Sequence, residues 1–195
     1  MSRIWYTSDL HVGHRHVVAV RGYGDDVAAH DESVIDHWRA TVRRTDTVYV
    51  LGDVAVGDYA AALTTISTLP GTKILITGNH DPAHPMHRRS MTATREAMAV
   101  FAHVTPYLVR RTAGGPVALS HFPYEGDHGP DRFVQWRLRD MGMPAVHGHT
   151  HGRERKTWTA AGTLQFHVGW DAWGALVPEE TVVRELFGGS SVDQR

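Results

Sequence analysis

The sequence predicts an α/β fold that begins with three parallel strands joined by helices. Three short apolar runs, at residues 4–7, 47–51 and 73–77, are rich in the β-branched and aromatic residues typical of buried strands. Two stretches with helical periodicity, His30–Arg43 and Asp58–Leu69, lie between them. The order βαβαβ implies parallel strands with right-handed helical crossovers.

The second half of the chain contains shorter elements and more loops. Its expected elements are a helix at 91–101, a hairpin of strands 104–110 and 117–120, a turn or two of helix at 135–140, a strand at 144–146, an exposed hairpin at 153–159, a returning strand at 163–168 and a helix starting near Val177.

Length and composition favour one domain that spans residues 1–195. The Gly- and Ser-rich tail, 188–195, is expected to be flexible. A net charge of -1 and a pI near 7.0 argue against strong nucleic-acid binding. No apolar stretch reaches the roughly 18 residues of a membrane span, and Met1 leaves no room for a leader before the first strand. We therefore expect a soluble, cytoplasmic protein.

Candidate metal ligands follow five of the predicted strands. The chain has 15 His and no Cys, so a metal site must use imidazole, carboxylate, amide or water. Side chains two apart in an extended segment point the same way, so each pair of this kind is able to meet one ion. The five groups are Asp9 with His11, Asp53, Asn79 with His80, His121, and His149 with His151.

The tetrapeptide Gly78-Asn79-His80-Asp81 has two interpretations when taken alone. Gly and Asn tolerate positive φ and Asp caps helices, so a simple turn explains it. A site at the carboxyl end of a buried strand explains it equally well. Across all five strand ends, the mixture of oxygen and imidazole ligands suits Mn, Fe, Zn, Co or Ni better than Ca, and two ions sharing a carboxylate would be accommodated.

Five motifs in this order resemble the calcineurin-like metallophosphoesterases, over roughly residues 4–170. They are Asp9-Leu10-His11, Gly52-Asp53, Gly78-Asn79-His80-Asp81, Ser120-His121 and Gly148-His149-Thr150-His151. Residues 9–14 and 168–173 are most similar to the short single-domain bacterial and phage members. The resemblance implies a four-layer α-β-β-α sandwich of two mixed β-sheets flanked by helices.

The resemblance also implies a role for each motif residue. The first metal ion would be bound by Asp9, His11, Asp53 and His151, and the second by Asp53, Asn79, His121 and His149, so that Asp53 bridges. The ions are expected to be Mn²⁺, with Fe, Zn, Co or Ni as alternatives. His80 would donate a proton to the leaving group, oriented by Asp81, while a metal-bound hydroxide attacks phosphorus. One departure is that the acidic residue after Asp53 is shifted to Asp58, which we interpret as a helix start.

Several neighbouring residues have open roles. His14 and Tyr124 are candidates for contacting the substrate, although a hydrogen-bonded loop role explains His14 equally well. Asp127 and His128 are further candidates on the same loop as Tyr124. His147 is interpreted as structural.

Further flanking residues are interpreted as structural or left open. The charged hairpin residues Arg153, Arg155 and Lys156 are interpreted as solvated. Trp170 and Trp173 are interpreted as core or homodimer contacts. The positions of His84 and His87 leave their roles open.

The predicted function is hydrolysis of a small phosphodiester, with 2′,3′- or 3′,5′-cyclic nucleotides as candidate substrates. No segment is long enough to form a capping domain, so the site should be open. The alternatives are a phosphomonoesterase and a non-catalytic scaffold on the same fold. A scaffold needs no proton donor, so the presence of His80 favours an enzyme. A DNA nuclease is disfavoured by the neutral charge.

Overall fold

The computed structural model describes residues 2–188. The strands are β1 (Ile4–Thr7), β2 (Thr47–Val50), β3 (Thr72–Ile76), β4 (His103–Thr105), β5 (Tyr107–Thr112), β6 (Gly115–Ser120), β7 (Ala145–His147), β8 (Lys156–Trp158), β9 (Leu164–His167) and β10 (Val177–Pro178). The helices are α1 (Arg15–Val18), α2 (Val27–Thr41), α3 (Tyr59–Ser67), α4 (Ser90–Ala97), α5 (Trp170–Trp173) and α6 (Glu179–Phe187), with a π-helix at Ala19–Tyr23 and a 3₁₀-helix at Val134–Trp136.

The strands form two mixed sheets of five. The first has the order β10-β1-β2-β3-β4, in which only β10 runs antiparallel to its neighbour. The second has the order β5-β6-β7-β9-β8, with β6, β7 and β9 parallel at its centre. The predicted α/β sandwich of two mixed sheets flanked by helices is therefore confirmed.

Alternating side chains of β2 serve two separate hydrophobic cores. Val48 and Val50 point toward the helices and share a cluster with Trp38 of α2 and Ile66 of α3. Tyr49 lies on the opposite face, in the cluster that joins the two sheets. This two-residue period places helices on one face of the first sheet and the second sheet on the other.

Helices α2 and α3 begin at aspartate caps. The Asp26 carboxylate accepts a hydrogen bond of 2.9 Å from the backbone N–H of Ala29. Asp58 caps α3 in the same way, through the N–H of Ala61 at 2.9 Å. The interpretation of Asp58 as a helix start is thus confirmed, and such caps contribute about 1 kcal/mol each.

The largest difference from the sequence prediction lies at Pro106. A single strand over 104–110 was expected, but β4 pairs with β3 of the first sheet and β5 pairs with β6 of the second. Proline has no N–H to donate to a ladder, so the chain changes sheets at this residue. The prediction of a helical segment at 135–140 was also too long, because the 3₁₀-helix ends at Trp136.

Four short elements were missed: α1, the π-helix, α5 and β10. Each has five residues or fewer, which is too short to show a period. Within residues 2–188, no helix is both long and apolar enough to cross a membrane. The predicted flexible tail lies outside the described residues beyond Gly188.

Candidate metal centre

The carboxyl ends of strands from both sheets meet at one edge of the sandwich. In the first sheet, the N–H of Asp9 donates to the carbonyl of Gly52 at 3.0 Å, which joins the segments after β1 and β2. In the second, the N–H of Gly148 donates to the carbonyl of His121 at 3.0 Å. The N–H of His149 then donates to the Asp9 carboxylate at 3.0 Å, which connects the two sheets. The five predicted motifs are therefore neighbours in space.

One group of candidate ligands consists of Asp9, His11 and His151. The Nε2 atoms of His11 and His151 lie 3.2 Å apart, and each lies 3.9 Å from Oδ1 of Asp9. Asp9 and His11 are fully buried. Three ligand atoms are thus directed at one small volume.

A second group consists of Asp9, Asp53 and His121. Oδ2 of Asp53 lies 3.5 Å from Nε2 of His121 and 3.7 Å from Nε2 of His11, so this carboxylate lies between the two groups. Oδ1 of Asn79 lies 3.2 Å from Nε2 of His121. Asp9 is the residue that both groups share, whereas Asp53 has the intermediate position that the resemblance implies for a bridging ligand.

Two of the candidate imidazoles have one ring nitrogen engaged and the other directed at the centre. Nδ1 of His121 donates to the carbonyl oxygen of Leu51 at 2.7 Å, which leaves Nε2 as the acceptor beside Asp53. Nδ1 of His151 lies 2.8 Å from the carboxylate of Asp171, which leaves Nε2 beside His11. Fixing the tautomer in this way is typical of imidazoles that bind metals.

His149 has the opposite arrangement. Its Nε2 lies 3.1 Å from Oδ2 of Asp127, so Nδ1 is the nitrogen that remains for a metal. The side chain of Asp127 is itself inaccessible to solvent, and Arg137 and His128 pair with it at 3.4 and 3.0 Å. The loop residue Asp127, which the sequence pattern suggested only as part of the pocket, thus orients a candidate ligand.

Five of the candidate ligands have a left-handed backbone, which is unusual for residues other than glycine. Among the described residues, six non-glycine residues have positive φ, and Phe133 is the only one outside this set. The five are Asp9, His11, Asp53, His149 and His151, with φ between 50° and 72°. Each such residue costs about 1 kcal/mol or more, and strain of this kind is concentrated at functional sites.

Two glycines are required by close approach rather than by backbone conformation. A Cβ at Gly148 would collide with the hydroxyl of Ser8 and the carboxylate of Asp9. At Gly78 it would collide with the Asp53 carboxylate and would meet Cγ of His121 at 2.8 Å. Gly78 has no positive φ, so the turn explanation based on backbone freedom does not apply to it.

The charges of the buried carboxylates fit a divalent cation. Burial, together with the Asp9 and Asp81 carboxylates, raises the pKa of Asp53 to about 7 despite the nearby imidazole of His121. Burial also raises the pKa of Asp9, but His121, His151 and His11 outweigh it and hold that pKa below its ordinary value. Nearby positive groups therefore do not fully balance the negative charge of the buried Asp53 carboxylate. This carboxylate and the imidazoles with fixed tautomers form a set of ligands suited to a borderline metal ion.

His80 lies at the mouth of the centre. Its side chain is 43% exposed, and its Nε2 lies 4.0 Å from Oδ2 of Asp53. Its backbone N–H donates to the other oxygen of Asp53 at 2.9 Å. Burial and the neighbouring imidazoles, chiefly those of His14 and His121, lower the pKa of His80 to about 4.

The expectation that Asp81 orients His80 does not match the contacts. The fully buried Asp81 carboxylate accepts hydrogen bonds from the backbone N–H groups of Gly78, Asp53 and Val54 at 2.7, 2.9 and 3.1 Å. Within residues 2–188, no hydrogen bond joins it to the His80 ring. Asp81 thus fixes the loops that follow β2 and β3, because three N–H donors already occupy its oxygens.

The two candidate substrate residues lie in different environments. Nδ1 of His14 lies 3.2 Å from Nδ1 of His11, and its ring centroid lies 5.9 Å from that of His80. The Tyr124 hydroxyl instead donates to the carbonyl of Met143 at 3.0 Å. His14 is therefore close to the centre, whereas the contact of Tyr124 is a structural one.

A buried ion pair missing from the sequence prediction supports the first group. Arg21 of the π-helix donates to both carboxylate oxygens of Asp171 at 3.0 and 2.7 Å. The same guanidinium donates to the carbonyls of Asp9 and Leu10 at 2.7 and 3.2 Å. Asp171 therefore holds His151 and the loop after β1 together. Asp171 lies just beyond strand β9, as the other candidate ligands lie just beyond their strands. No local sequence pattern identifies Arg21.

Three other residues with predicted roles have the following surroundings. His147 is buried and stacks on His167, with centroids 5.4 Å apart, as a structural role requires. Trp170 is buried in the helix-side core, while Trp173 donates its indole N–H to the carbonyl of His167 at 2.8 Å. A homodimer contact stays a prediction.

The two histidines after the tetrapeptide and two of the three hairpin cations, Arg155 and Lys156, make contacts within the fold. His84 is buried against Phe122, and Nε2 of His87 lies 2.9 Å from the carbonyl of Asn79. Arg155 stacks on Trp173, with its guanidinium carbon 3.8 Å from the ring centroid. Lys156 pairs with Glu185 at 2.6 Å, so it is bound within the protein rather than simply solvated.

Solved structures share this fold at low sequence identity. The crystal structure of a protein of unknown function from Aquifex aeolicus is similar with a TM-score of 0.67 and 19% identity, covering 95% of this chain and 100% of the other. The phosphopantetheinyl hydrolase of Mycobacterium tuberculosis is similar with a TM-score of 0.52 and 15% identity, covering 91% and 95%. These likenesses establish the fold.

Closer relatives are found among phage proteins. No protein-family model matches the chain. The Gene 66 protein of Mycobacterium phage L5 is 44% identical over 193 residues, covering 93% of each chain. The Gene 66 protein of Mycobacterium phage D29 is 43% identical over 196 residues, covering 95% of this chain and 96% of the other. With this identity over nearly the full length of both relatives, the chain belongs to the family of the mycobacteriophage Gene 66 proteins.

Proposed function

We propose that this protein is a metal-dependent phosphoesterase of the calcineurin-like metallophosphoesterase superfamily. The observation that carries the proposal is the meeting of five strand ends, where candidate ligands with a strained backbone surround a buried pair of carboxylates. A solved protein with the same fold is named a hydrolase of phosphopantetheinyl groups, which is in keeping with this chemistry.

The residues of the centre suit two divalent ions, with Mn²⁺ as the first candidate. Asp9, His11, Asp53 and His151 would hold one ion, and Asp53, Asn79, His121 and His149 would hold the other. When bound, such ions supply a water of lowered pKa and positive charge beside the phosphate oxygens.

His80 is the proposed proton donor to the leaving oxygen. Its ring is exposed at the mouth, and its low pKa makes it neutral at pH 7 in the free protein. A bound phosphate would favour the imidazolium form of His80, and the proposed metal ions would oppose it, so the charge balance of the complex sets the protonation of the donor. The N–H of His80 also orients Asp53, so the donor and the proposed bridging ligand are positioned together.

The proposed substrate is a small phosphodiester, with 2′,3′- or 3′,5′-cyclic nucleotides as the leading candidates, and the proposed location is the cytoplasm. The mouth is open at His80, so a small ester has direct access. A phosphomonoester is the alternative substrate for the same residues, and a non-catalytic scaffold is the alternative to an enzyme.

The test compares turnover of bis-p-nitrophenyl phosphate and p-nitrophenyl phosphate with added Mn²⁺. We expect hydrolysis, faster on the diester. His80→Ala should slow turnover by about 10²- to 10⁴-fold and leave the metal content unchanged. Inactivity on both esters with metal bound would contradict the enzyme. Loss of metal in His80→Ala would contradict the role given to His80.

A further inference from the structure

The guanidinium of Arg21 has an acceptor for each of its five N–H groups. Its Nε donates to one carboxylate oxygen of Asp171 at 3.0 Å, and its Nη2 donates to the other oxygen and to the carbonyl of Asp9, both at 2.7 Å. Its Nη1 donates to the carbonyl of Leu10 at 3.2 Å and to Nε2 of His30 at 2.9 Å. The side chain is only 6% exposed, so an N–H group that lost its acceptor would have little access to water.

Helix α2 contributes one of these acceptors through His30. This residue is fully buried, and its ring lies between Arg21 and the carboxylate of the next residue, Asp31. A guanidinium only donates, so Nε2 of His30 must be unprotonated where it faces Arg21. Nδ1 therefore carries the proton and donates to Oδ1 of Asp31 at 2.8 Å. The two neighbours of the ring thus fix its tautomer.

The same Asp31 carboxylate holds the turn after His11. Its Oδ2 accepts a hydrogen bond from the backbone N–H of Gly13 at 3.0 Å. Gly13 lies in a turn that is closed by the N–H of His14, which donates to the carbonyl of His11 at 3.1 Å. One carboxylate of α2 therefore contacts both the turn beside a candidate ligand and the ring that completes the contacts of Arg21.

These contacts form a continuous path from α2 to a second candidate ligand, His151. His30 accepts from Arg21, Arg21 donates to Asp171, and the Asp171 carboxylate accepts from Nδ1 of His151 at 2.8 Å. We infer that His30 and Asp31 are positioning residues of the metal centre, which act on His151 through Arg21 and Asp171. The inference rests on the metal centre of the proposed function and assigns His30 and Asp31 no contact with metal or substrate.

The test uses two amides that replace different parts of the His30 ring. In His30→Gln, the side-chain oxygen reaches the position of Nε2 and accepts from Arg21. In His30→Asn, the shorter amide ends near the position of Nδ1 and leaves Arg21 without this acceptor. Calorimetric titration of Mn²⁺ should show an affinity for one of the two proposed ions that is about tenfold weaker in His30→Asn and close to the unaltered value in His30→Gln. Equal losses of affinity in the two variants would overturn the role given to the acceptor.

His37→Asn is the matched control. His37 also lies on α2, and its Nε2 accepts a hydrogen bond from the backbone N–H of Leu176 at 3.2 Å. The variant therefore removes a ring acceptor from the same helix without removing a contact to Arg21. It should lower the melting temperature and change neither metal affinity. Equal metal affinities in folded His30→Asn and His37→Asn would show that His30 is structural only and would overturn the inference.

A second measurement needs no variant and no metal. Proton–nitrogen correlation NMR of the metal-free protein at alkaline pH distinguishes the two neutral tautomers of each histidine. We expect the proton of His30 on Nδ1. A proton on Nε2 would overturn the inference even if the His30 variants did not fold, because that nitrogen could not then accept from Arg21.

The inference and the proposed function fail in different ways. If the unaltered protein binds Mn²⁺ but hydrolyses neither p-nitrophenyl ester, the phosphoesterase function is contradicted, while the expected difference between His30→Asn and His30→Gln would still support the positioning role. If the esters are hydrolysed but folded His30→Asn keeps both metal affinities, the positioning role is overturned and the phosphoesterase function stands.

Discussion

The substitution Asp171→Asn tests how the candidate ligand His151 is held in place. Asp171 accepts two hydrogen bonds from Arg21 and one from Nδ1 of His151. The Asp171 and Arg21 side chains are only 12% and 6% exposed. Arg21 and His151 together hold the pKa of Asp171 below its ordinary value, although burial alone would raise it.

Asparagine retains one acceptor oxygen but removes the charge. It leaves Arg21 as a buried cation without a partner anion, a change that costs about 3 kcal/mol when an ion pair is broken. For a chain of this size, we expect the melting temperature to fall by about 6–12 °C. The loss of the fixed His151 tautomer should weaken binding of one of the two proposed metal ions by about 10- to 100-fold.

The assay combines thermal unfolding with calorimetric titration of Mn²⁺ into the folded protein. Glu179→Gln is the matched control, because Glu179 also pairs with an arginine, Arg110, through two hydrogen bonds of 3.1 Å away from the centre. This control should lower stability without changing either metal affinity. Unchanged affinities for both ions in folded Asp171→Asn would refute the reasoning.

Three further predictions concern stability and the shape of the centre. Asp81→Ala should lower the free energy of unfolding by about 3 kcal/mol or more, because it leaves three buried N–H groups without an acceptor. Only a small decrease in the stability measured by thermal unfolding would contradict this role. Burial, with help from His121 and His87, lowers the pKa of His84 to about 4, so only the unfolded chain takes up this proton as pH falls from about 6.5 to 4. The free energy of unfolding should therefore fall as the pH drops through this range, by up to about 1.4 kcal/mol per pH unit. His84→Asn should reduce this pH dependence when the free energy is measured by denaturant unfolding. An unchanged pH dependence in the variant would contradict the prediction. Gly148→Ala should abolish metal binding measured by calorimetry, since the added methyl group collides with the Asp9 carboxylate, and retained affinity would show that the loop adapts.

The strands and the five strand ends were predictable because their signals are local. The apolar runs that end at Thr7, Val50 and Ile76 mark where the backbone leaves the first sheet. Polar residues directly beyond such ends meet at one edge whenever the strands are parallel. The convergence of the motifs therefore follows from short patterns and one topological rule.

The supporting contacts were not predictable, because they join segments far apart in sequence. Arg21 and Asp171 are 150 residues apart, and neither belongs to a periodic pattern. Asp81 lies beside His80 in the chain, yet its carboxylate turns inward to three N–H groups. The break at Pro106 depends on tertiary pairing, because β4 and β5 on either side of it belong to different sheets.

The central claim is that Asp53 is shared by two metal ions, since it lies between His11 and His121. Its most direct test is metal content, measured by elemental analysis after equilibration with Mn²⁺ and removal of free metal, alongside circular dichroism to verify folding. We predict two ions per chain in the unaltered protein and loss of both in folded Asp53→Ala. An unaltered protein that binds no metal, or a folded Asp53→Ala protein that retains two ions, would contradict the claim.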